Sequence, residues 1–485
     1  MTTHASPEAR RKRLNLHSPL AEFIRQPPVS VSPETPLREV VETMAEKKIG
    51  SVVIVEPESS RPMGIFTLRD LLRQAASPTF DLDQMVLTAI GGQTLVALNW
   101  RATAYQAEML LARHGIHHII VVDSSDRLAG VISQSDILDV QRGGAKAMAS
   151  AIRSARDLDS LIAAAEDIRR IGRQMLADGA AAEQLTETLS TLNDLLAVRL
   201  VELTCLDFSL PRVDWVWLAF GSEGRFEQTL STDQDNGIIF LAPPGEADAL
   251  RNAFLPFAKE VNRRLDACGF PLCKGNIMAS NPDLCLSLDE WKERFLTWMR
   301  SANPDALLNA TIFFDFRPIQ GHTELAEELR EWLLKAIPDQ PMFQRFMAEN
   351  AHRAKPPIGF FGNFVVDKGG EYPRTIDLKA FGSRPFVDAA RILALANGIG
   401  ETSTAQRLRA LEKHGKMAGE DVSALIDGFY FIQQLRLRNQ DVDVEEGRAN
   451  RIEPARLNSL DRHVLKESFE QAKRLQIKLQ MEYRL

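Results

Sequence analysis

Residues 215–241, WVWLAFGSEGRFEQTLSTDQDNGIIFL, decide how the rest of this chain is read. The run 215–220 is apolar, short and stopped by glycine, which reads as a buried strand. Gly221-Ser222 then forms a strand-to-helix turn. Glycine lets backbone approach a ligand closely, and the free N–H groups of a helix start attract anions. A polar loop follows, and Asp233-x-Asp235 leads into a second apolar strand. Residues i and i+2 of an extended segment point to the same side, so the two carboxylates can share a cation. Magnesium prefers such hard oxygen ligands and keeps part of its shell for phosphate oxygens. These are the parts needed to hold a nucleoside triphosphate and two magnesium ions.

A third acid stands out at residues 310–318, ATIFFDFRP, which read as a hydrophobic strand interrupted by Asp315. An acid among Phe and Ile is costly unless it is paired or bound to metal. Two explanations fit: an ion pair with Arg317 or a similar cation, or a metal ligand that also acts as general base for an attacking hydroxyl. Arg225 lies beside the phosphate turn, and Lys274 lies in the segment 273–282, CKGNIMASNP. Each is a candidate phosphate ligand or a solvated cation, and Glu223 and Glu227 read as solvent-facing groups or partners of Arg225.

Gly-Ser-x-Gly-Arg followed by Ser-Thr-Asp-x-Asp between two apolar strands resembles the transferase domain of PII uridylyltransferase and glutamine-synthetase adenylyltransferase, of polymerase-β type. The resemblance implies a nucleotide-phosphate site at Gly221, Ser222, Arg225 and Lys274. It also implies catalytic, metal-binding acids at Asp233, Asp235 and Asp315, with the nucleoside triphosphate as substrate. No His-Asp pair with supporting histidines is visible, so removal of the nucleotidyl group and glutamine sensing are not carried over.

Residues 29–140 contain one unit twice. Each copy runs through a helix, a β-branched strand, and then Gly-apolar-apolar-Thr/Ser-x-x-Asp: GIFTLRD at 64–70 and GVISQSD at 130–136. Repetition at this scale means two supersecondary units burying their apolar faces against each other. In the first helix Leu37, Val40, Val41 and Met44 form one stripe. The motif resembles a tandem CBS module. By that resemblance Asp70 and Asp136 bind ribose hydroxyls of an adenosine nucleotide, and Thr67 and Ser133 contact phosphate. The residues alone support a simpler role, in which Thr67 and Ser133 cap helices whose first turns carry Asp70 and Asp136.

The whole chain, from about residue 25 onward, is similar to an uncharacterised nucleotidyltransferase-like family in which tandem CBS modules precede such a domain. The expected architecture is multidomain α/β: a flexible tail at 1–24, a tandem CBS module at 25–143, a helical connector at 144–208, a polymerase-β-type nucleotidyltransferase domain at 209–323, and a helical substrate-binding domain at 324–485. In the connector, the leucine spacing predicts two helices divided near Gly179. In the last domain Asp377, Lys379 and Arg384 can contact nucleotide or acceptor, or can be surface ion pairs of little energetic weight. Arg436–Arg438 and Arg448–Arg451 read as solvated faces.

Composition bounds the function. With 485 residues the chain is long enough for about three or four domains. Hydrophobic and charged fractions of 45% and 25% are those of a globular protein. A net charge of −7 argues against a broad nucleic-acid footprint. No apolar run approaches the roughly 18–20 residues that span a bilayer. Arg10–Arg13 lacks a following apolar stretch and reads as a basic tail. The four cysteines are Cys205, Cys268, Cys273 and Cys285. Only Cys268 and Cys273 have a metal-like spacing, without a second pair, so reduced thiols and a cytoplasmic setting are expected. The sequence thus predicts a magnesium-dependent transfer of NMP from NTP to a hydroxyl of a protein or small molecule, controlled by adenosine nucleotide at the CBS pair. A homodimer through that pair is also expected. The alternative is a non-catalytic nucleotide sensor acting through a partner.

Overall fold

The computed structural model describes residues 18–24, 27–78, 80–91, 95–141, 145–300, 311–359, 362–441 and 448–485. The basic cluster Arg10–Arg13 and the start of the expected 310–318 strand lie outside them. The chain divides into two compact units, Met1–Lys146 and Ala147–Leu485.

The first unit contains two three-stranded sheets of identical layout. In one, β1 (Ser30–Val31) runs parallel to β2 (Ser51–Val55), which pairs antiparallel with β3 (Pro62–Thr67). In the other, β4 (Ala97–Asn99), β5 (His118–Val122) and β6 (Leu128–Ser133) repeat this order and pairing. Even the irregularity recurs, at Ile54/Val55 and at Val121/Val122. The helical stripe read from sequence is buried at Leu37, Val40 and Met44.

Each half is completed by a segment from outside its own repeat. Helix Val86–Ile90 packs into the first core, and Leu20 is buried in the second. The repeat glycines explain the fit. A Cβ at Gly64 would overlap Ile90, and one at Gly130 would come within 2.6 Å of Ile24. The flexible tail expected through residue 24 is corrected here: Leu20 and Ala21 donate backbone hydrogen bonds to Ala102 and Trp100, so packing begins near Ser18.

The second unit is built on a four-stranded sheet of order β10-β7-β8-β9, with β7 at Trp215–Ala219, β8 at Asn236–Phe240, β9 at Cys285–Ser287 and β10 at Arg317–Gly321. β7 and β8 are antiparallel, and their register sets Ala219 opposite Asn236. The ends that carry Gly221 and Asp235 therefore adjoin. One sheet face buries Val216, Leu218 and Phe220 against Trp291, Phe295 and Phe313. On the other, Trp215 and Trp217 meet Phe257 of helix Ala247–Ala267. The connector forms helices Leu158–Ala177 and Ala182–Cys205, divided at Gly179 in the left-handed region as expected.

From Glu324 on, the described residues are mostly helical. Helices Arg384–Ala396, Thr404–Lys413, Gly419–Asp441 and Ser459–Tyr483 share one hydrophobic core with the sheet. Leu325, Leu329 and Leu333, and Leu425, Phe429, Ile432 and Leu435, are buried in it. Among the described residues no helix is long and apolar enough to cross a membrane.

Candidate functional site

The Gly221-Ser222 turn is shaped by two glycines with different tasks. Gly221 has φ +58°, and a Cβ there would come within 2.9 Å of the Asp235 carboxylate. Both the backbone conformation and the space at the acid require glycine. Gly224 lies against segment Thr311–Asp315, where a Cβ would overlap the Asp315 carbonyl oxygen. The turn is held in place by Phe220 N–H donating to the Asp235 carbonyl (2.8 Å) and Glu227 N–H to the Ser222 carbonyl (2.9 Å).

Alternation orients the acids. Gln234 and Asn236 face a buried amide network. Gln234 Nε2 donates to the carbonyls of Asn262 and Phe270, and Asn262 Nδ2 donates to Gln234 Oε1 and Asn236 Oδ1, all at 2.8–2.9 Å. Asp233 and Asp235 are thereby turned to the opposite side. The same strand edge fixes the 271–280 loop: Gln234 and Asn236 N–H groups donate to the carbonyls of Pro271 and Ile277, and Ala279 N–H donates to Asn236 Oδ1. That loop delivers Cys273 to the pair, so that Asp233, Asp235 and Cys273 present ligand atoms within 4.8 Å of one another.

Asp235 is 8% exposed, and Asp233 is the more open of the two. Burial, then the Asp233 charge, pushes the Asp235 carboxyl up to about 7, against the pull of the Cys273 thiol, Lys379 and Arg225. Burial, then the Asp235 charge, likewise raises the Cys273 thiol, which hydrogen-bonds the Asp235 side chain. Nearby, burial followed by Asp194 and Asp235 lifts Glu223 to about 8. A divalent cation relieves the like-charge conflict between the two aspartates. Their hard oxygens and the space kept by Gly221 fit magnesium, whereas the soft sulfur of Cys273 is a poor ligand for it. Two carboxylates fit one shared cation.

Asp315 does not join them, which corrects its expected part as third metal ligand and general base. Residues Thr311–Asp315 form a 3-10 turn rather than a strand. The Asp315 side chain is 0% exposed and ringed by arginines. Its Oδ1 accepts from Arg391 Nε (2.9 Å) and pairs with Arg407 Nη1 (2.7 Å). Its Oδ2 accepts from Arg391 Nη2 (2.6 Å) and Arg225 Nη1 (2.7 Å). Burial alone would raise this carboxyl, but Arg391, Arg407 and Arg225 outweigh it and hold it far below the usual carboxylate range. The expected Asp315–Arg317 pairing is not made: Arg317 pairs with Asp194 and lies over the Phe226 ring.

Arg225 is largely buried, and its Nε donates to Glu227 (2.7 Å), a partner the sequence suggested. Lys274 is exposed. Asp377 accepts from the N–H groups of Lys379 and Ala380, both at 2.9 Å. Arg384 pairs with Asp388. Lys379 is exposed and close enough to Asp235 to pull on its charge. Arg436, read as part of a solvated face, is instead 6% exposed and lies near Arg225, Glu227 and Asp377. Arg438, two positions on, is exposed, as helical geometry requires of one of them. Cys273, noted in the sequence only for its spacing from Cys268, instead meets the two aspartates.

In the first unit, Thr67 and Asp70 form a capping box. Ser133 and Asp136 make the same contacts: Ser133 N–H and Oγ donate to Asp136 Oδ2 at 2.7 and 2.6 Å, and Asp136 N–H returns to Ser133 Oγ. The halves differ beyond that. Asp70 is buried and paired with Arg73, whereas Asp136 is exposed.

The described chain thus contains a duplicated three-stranded unit, a four-stranded mixed sheet carrying paired acids, and a helical region. Family models agree along the chain. CBS domains match residues 20–77 and 101–143. "Putative nucleotidyltransferase DUF294" matches 166–305, and "Putative nucleotidyltransferase substrate binding domain" matches 341–483. The chain thus carries CBS domains, a region matching the "Putative nucleotidyltransferase DUF294", and a region matching its "Putative nucleotidyltransferase substrate binding domain". It is 31% identical over 122 residues to an uncharacterized protein, MK0525, of Methanopyrus kandleri, covering 25% of this chain and 62% of that one. It is 30% identical over 111 residues to inosine-5'-monophosphate dehydrogenase of Aquifex aeolicus, covering 23% and 22%. A solved CBS domain protein of Pyrobaculum aerophilum, complexed with AMP, is 28% identical and is matched over 95% of its length and 25% of this chain, with a TM-score of 0.23.

Proposed function

We propose that the second unit is a polymerase-β-type nucleotidyltransferase that moves NMP from an NTP to a hydroxyl of a protein or small acceptor, in the cytoplasm. The observation that carries this reading is the junction of Gly221 with Asp235 and Asp233. A phosphate-binding turn and two acids of matched direction meet where a Cβ would close the space. A magnesium ion held there would neutralise phosphate charge and polarise the α-phosphate. Asp233 and Asp235 would hold the cation, and Gly221 and Ser222 would supply backbone donors to the phosphates. Arg225 would balance charge from the side of the turn.

The first unit, in this reading, binds an adenosine nucleotide through Ser133 and Asp136 and through Thr67 and Asp70, and so controls the transferase. The exposed apolar side chains of Leu68, Leu72, Tyr105 and Met109 support association with a second copy.

The test is calorimetric titration of magnesium with UTP, CTP, GTP and ATP into the full chain and into D233N/D235N, followed by an assay of pyrophosphate release. Magnesium-dependent binding that the double change removes supports the site; equal binding by both proteins sinks it. One observation favours a second reading, a nucleotide sensor without transfer: the acid expected to serve as base is locked among arginines. Tight magnesium-dependent binding with no pyrophosphate released over a range of acceptors would select that reading.

A further inference from the structure

Arg436 is a buried cation that makes no ion pair among the described residues. It lies on helix Gly419–Asp441, and its guanidinium donates to two neutral groups, Asn450 Oδ1 from Nε (3.0 Å) and Gln433 Oε1 from Nη1. Among the described residues it has no carboxylate within ion-pair distance. The two acids near it are committed elsewhere. Asp377 is turned onto the N–H groups of Lys379 and Ala380, and Glu227 accepts from Arg225 Nε and from Thr404 N–H (2.7 Å). The cluster around Asp315 is closed in the same way, because Arg391, Arg407 and Arg225 are taken up by Asp315, Asp388 and Glu227. A buried guanidinium balanced only by neutral hydrogen-bond partners is costly, and an anion that visits the site removes that cost.

Its position indicates which anion. Asn450 Oδ1, which accepts from Arg436, also accepts from Gln440 Nε2 (3.1 Å). Gln440 Oε1 in turn accepts from Ser231 N–H (3.4 Å), two residues before Asp233. Arg436 therefore sits one helical turn from a contact to the loop that carries the acids. Arg225, on the other side, is near enough to act electrostatically on both Arg436 and Asp235. Lys379 adds a second cation from the same helical region.

We propose that Arg436 and Lys379 bind the terminal phosphates of the nucleotide, so that the helical C-terminal region completes the triphosphate site and holds the pyrophosphate leaving group. This rests on the transferase reading and assigns to the C-terminal region the polyphosphate rather than the base or the acceptor. Guanidinium forks suit phosphate oxygens, and cations placed there oppose the charge that collects on pyrophosphate as the α-phosphate bond breaks.

The experiment uses the full chain with R436Q, R436K and K379Q, titrated with magnesium UTP and magnesium pyrophosphate and followed by thermal melting with and without magnesium pyrophosphate. R436Q is expected to lose tenfold or more in affinity for both ligands, R436K to lose less, and K379Q to lose a few-fold. The unliganded R436Q protein is expected to melt no lower than wild type, while the rise in melting temperature that pyrophosphate gives wild type disappears. Wild-type affinity for both ligands in R436Q and R436K overturns the inference and leaves the transferase reading standing. If wild type binds UTP only through groups other than the pyrophosphate, with no pyrophosphate affinity of its own, the inference is also overturned. If wild type binds neither ligand, the transferase reading itself fails and takes the inference with it.

Discussion

Asp235 and Asp315 are both buried acids beside the same glycine turn, and their surroundings drive them in opposite directions. Asp235 meets another carboxylate and is pushed up to about 7, first by burial and then by Asp233. Asp315 meets three arginines and is held far below the usual range. One site is short of positive charge and can accept a cation. The other is already saturated. A buried acid in an apolar segment signals that something must balance it; it does not say whether that partner is an ion from solution or a side chain from another helix.

The largest expected effect follows from breaking the saturated site. Asp315→Asn leaves Arg391 and Arg407 buried without their shared carboxylate and should cost about 3–5 kcal/mol of stability, read from denaturant midpoints. The pH dependence has a definite sign. A carboxyl whose pKa is depressed by folding contributes its stability above its unfolded pKa and loses it as pH falls through the folded one. Wild type should therefore lose this contribution only on acidification below about pH 4, the ordinary carboxylate range, and D315N should show a shallower acid slope. A large loss of nucleotide binding in a fully stable D315N protein would break the comparison and return Asp315 to the site.

Next in size, Gly221→Ala places a Cβ at a positive φ and against the Asp235 carboxylate. A cost of about 1–2 kcal/mol is expected from the backbone conformation, with weaker magnesium-dependent nucleotide binding. Asp235→Asn, by contrast, removes a buried like charge. It should leave the cation-free protein as stable or more so, by about 1 kcal/mol for each pKa unit of strain relieved, while magnesium no longer stabilises it. Thermal melts with and without magnesium check both changes. Opposite signs for Asp235→Asn and Asp315→Asn would sharpen the contrast most.

The two CBS halves repeat the contrast on a smaller scale. Asp70 is buried and paired with Arg73, whereas Asp136 is exposed, with its carboxylate turned onto its own cap. Asp136→Asn should therefore weaken AMP binding to the full chain several-fold, and Asp70→Asn should weaken it less. Calorimetry with AMP in the absence of magnesium reads both.

Sequence legibility followed the range of the interactions involved. The repeat at 64–70 and 130–136, the Gly221 turn and the Asp233–Asp235 spacing were readable because each depends on neighbours a few positions away. Asp315 was recognised as needing a partner, yet its partners Arg225 and Arg391 lie 90 and 76 positions off, so the two explanations could not be separated from sequence. Arg436 was misread for a related reason. An Arg-x-Arg pair on a helix looks solvated, but only packing of helix Gly419–Asp441 decides which of the two is turned inward. Cys273 joined the acids through hydrogen bonds of the 271–280 loop to β8, which no spacing rule reports.

The central claim is that a cation with nucleotide is held by Asp233 and Asp235 and not by Asp315. The most direct measurement is a crystal structure of the full chain with manganese and a non-hydrolysable UTP analogue, located by the anomalous signal of the metal. The expected result is one peak between the Asp233 and Asp235 carboxylates, phosphates against Gly221, and Asp315 still paired with Arg391 and Arg407. A peak bridged by Asp315 with its arginines displaced, or nucleotide bound with no metal at the aspartates, would contradict it.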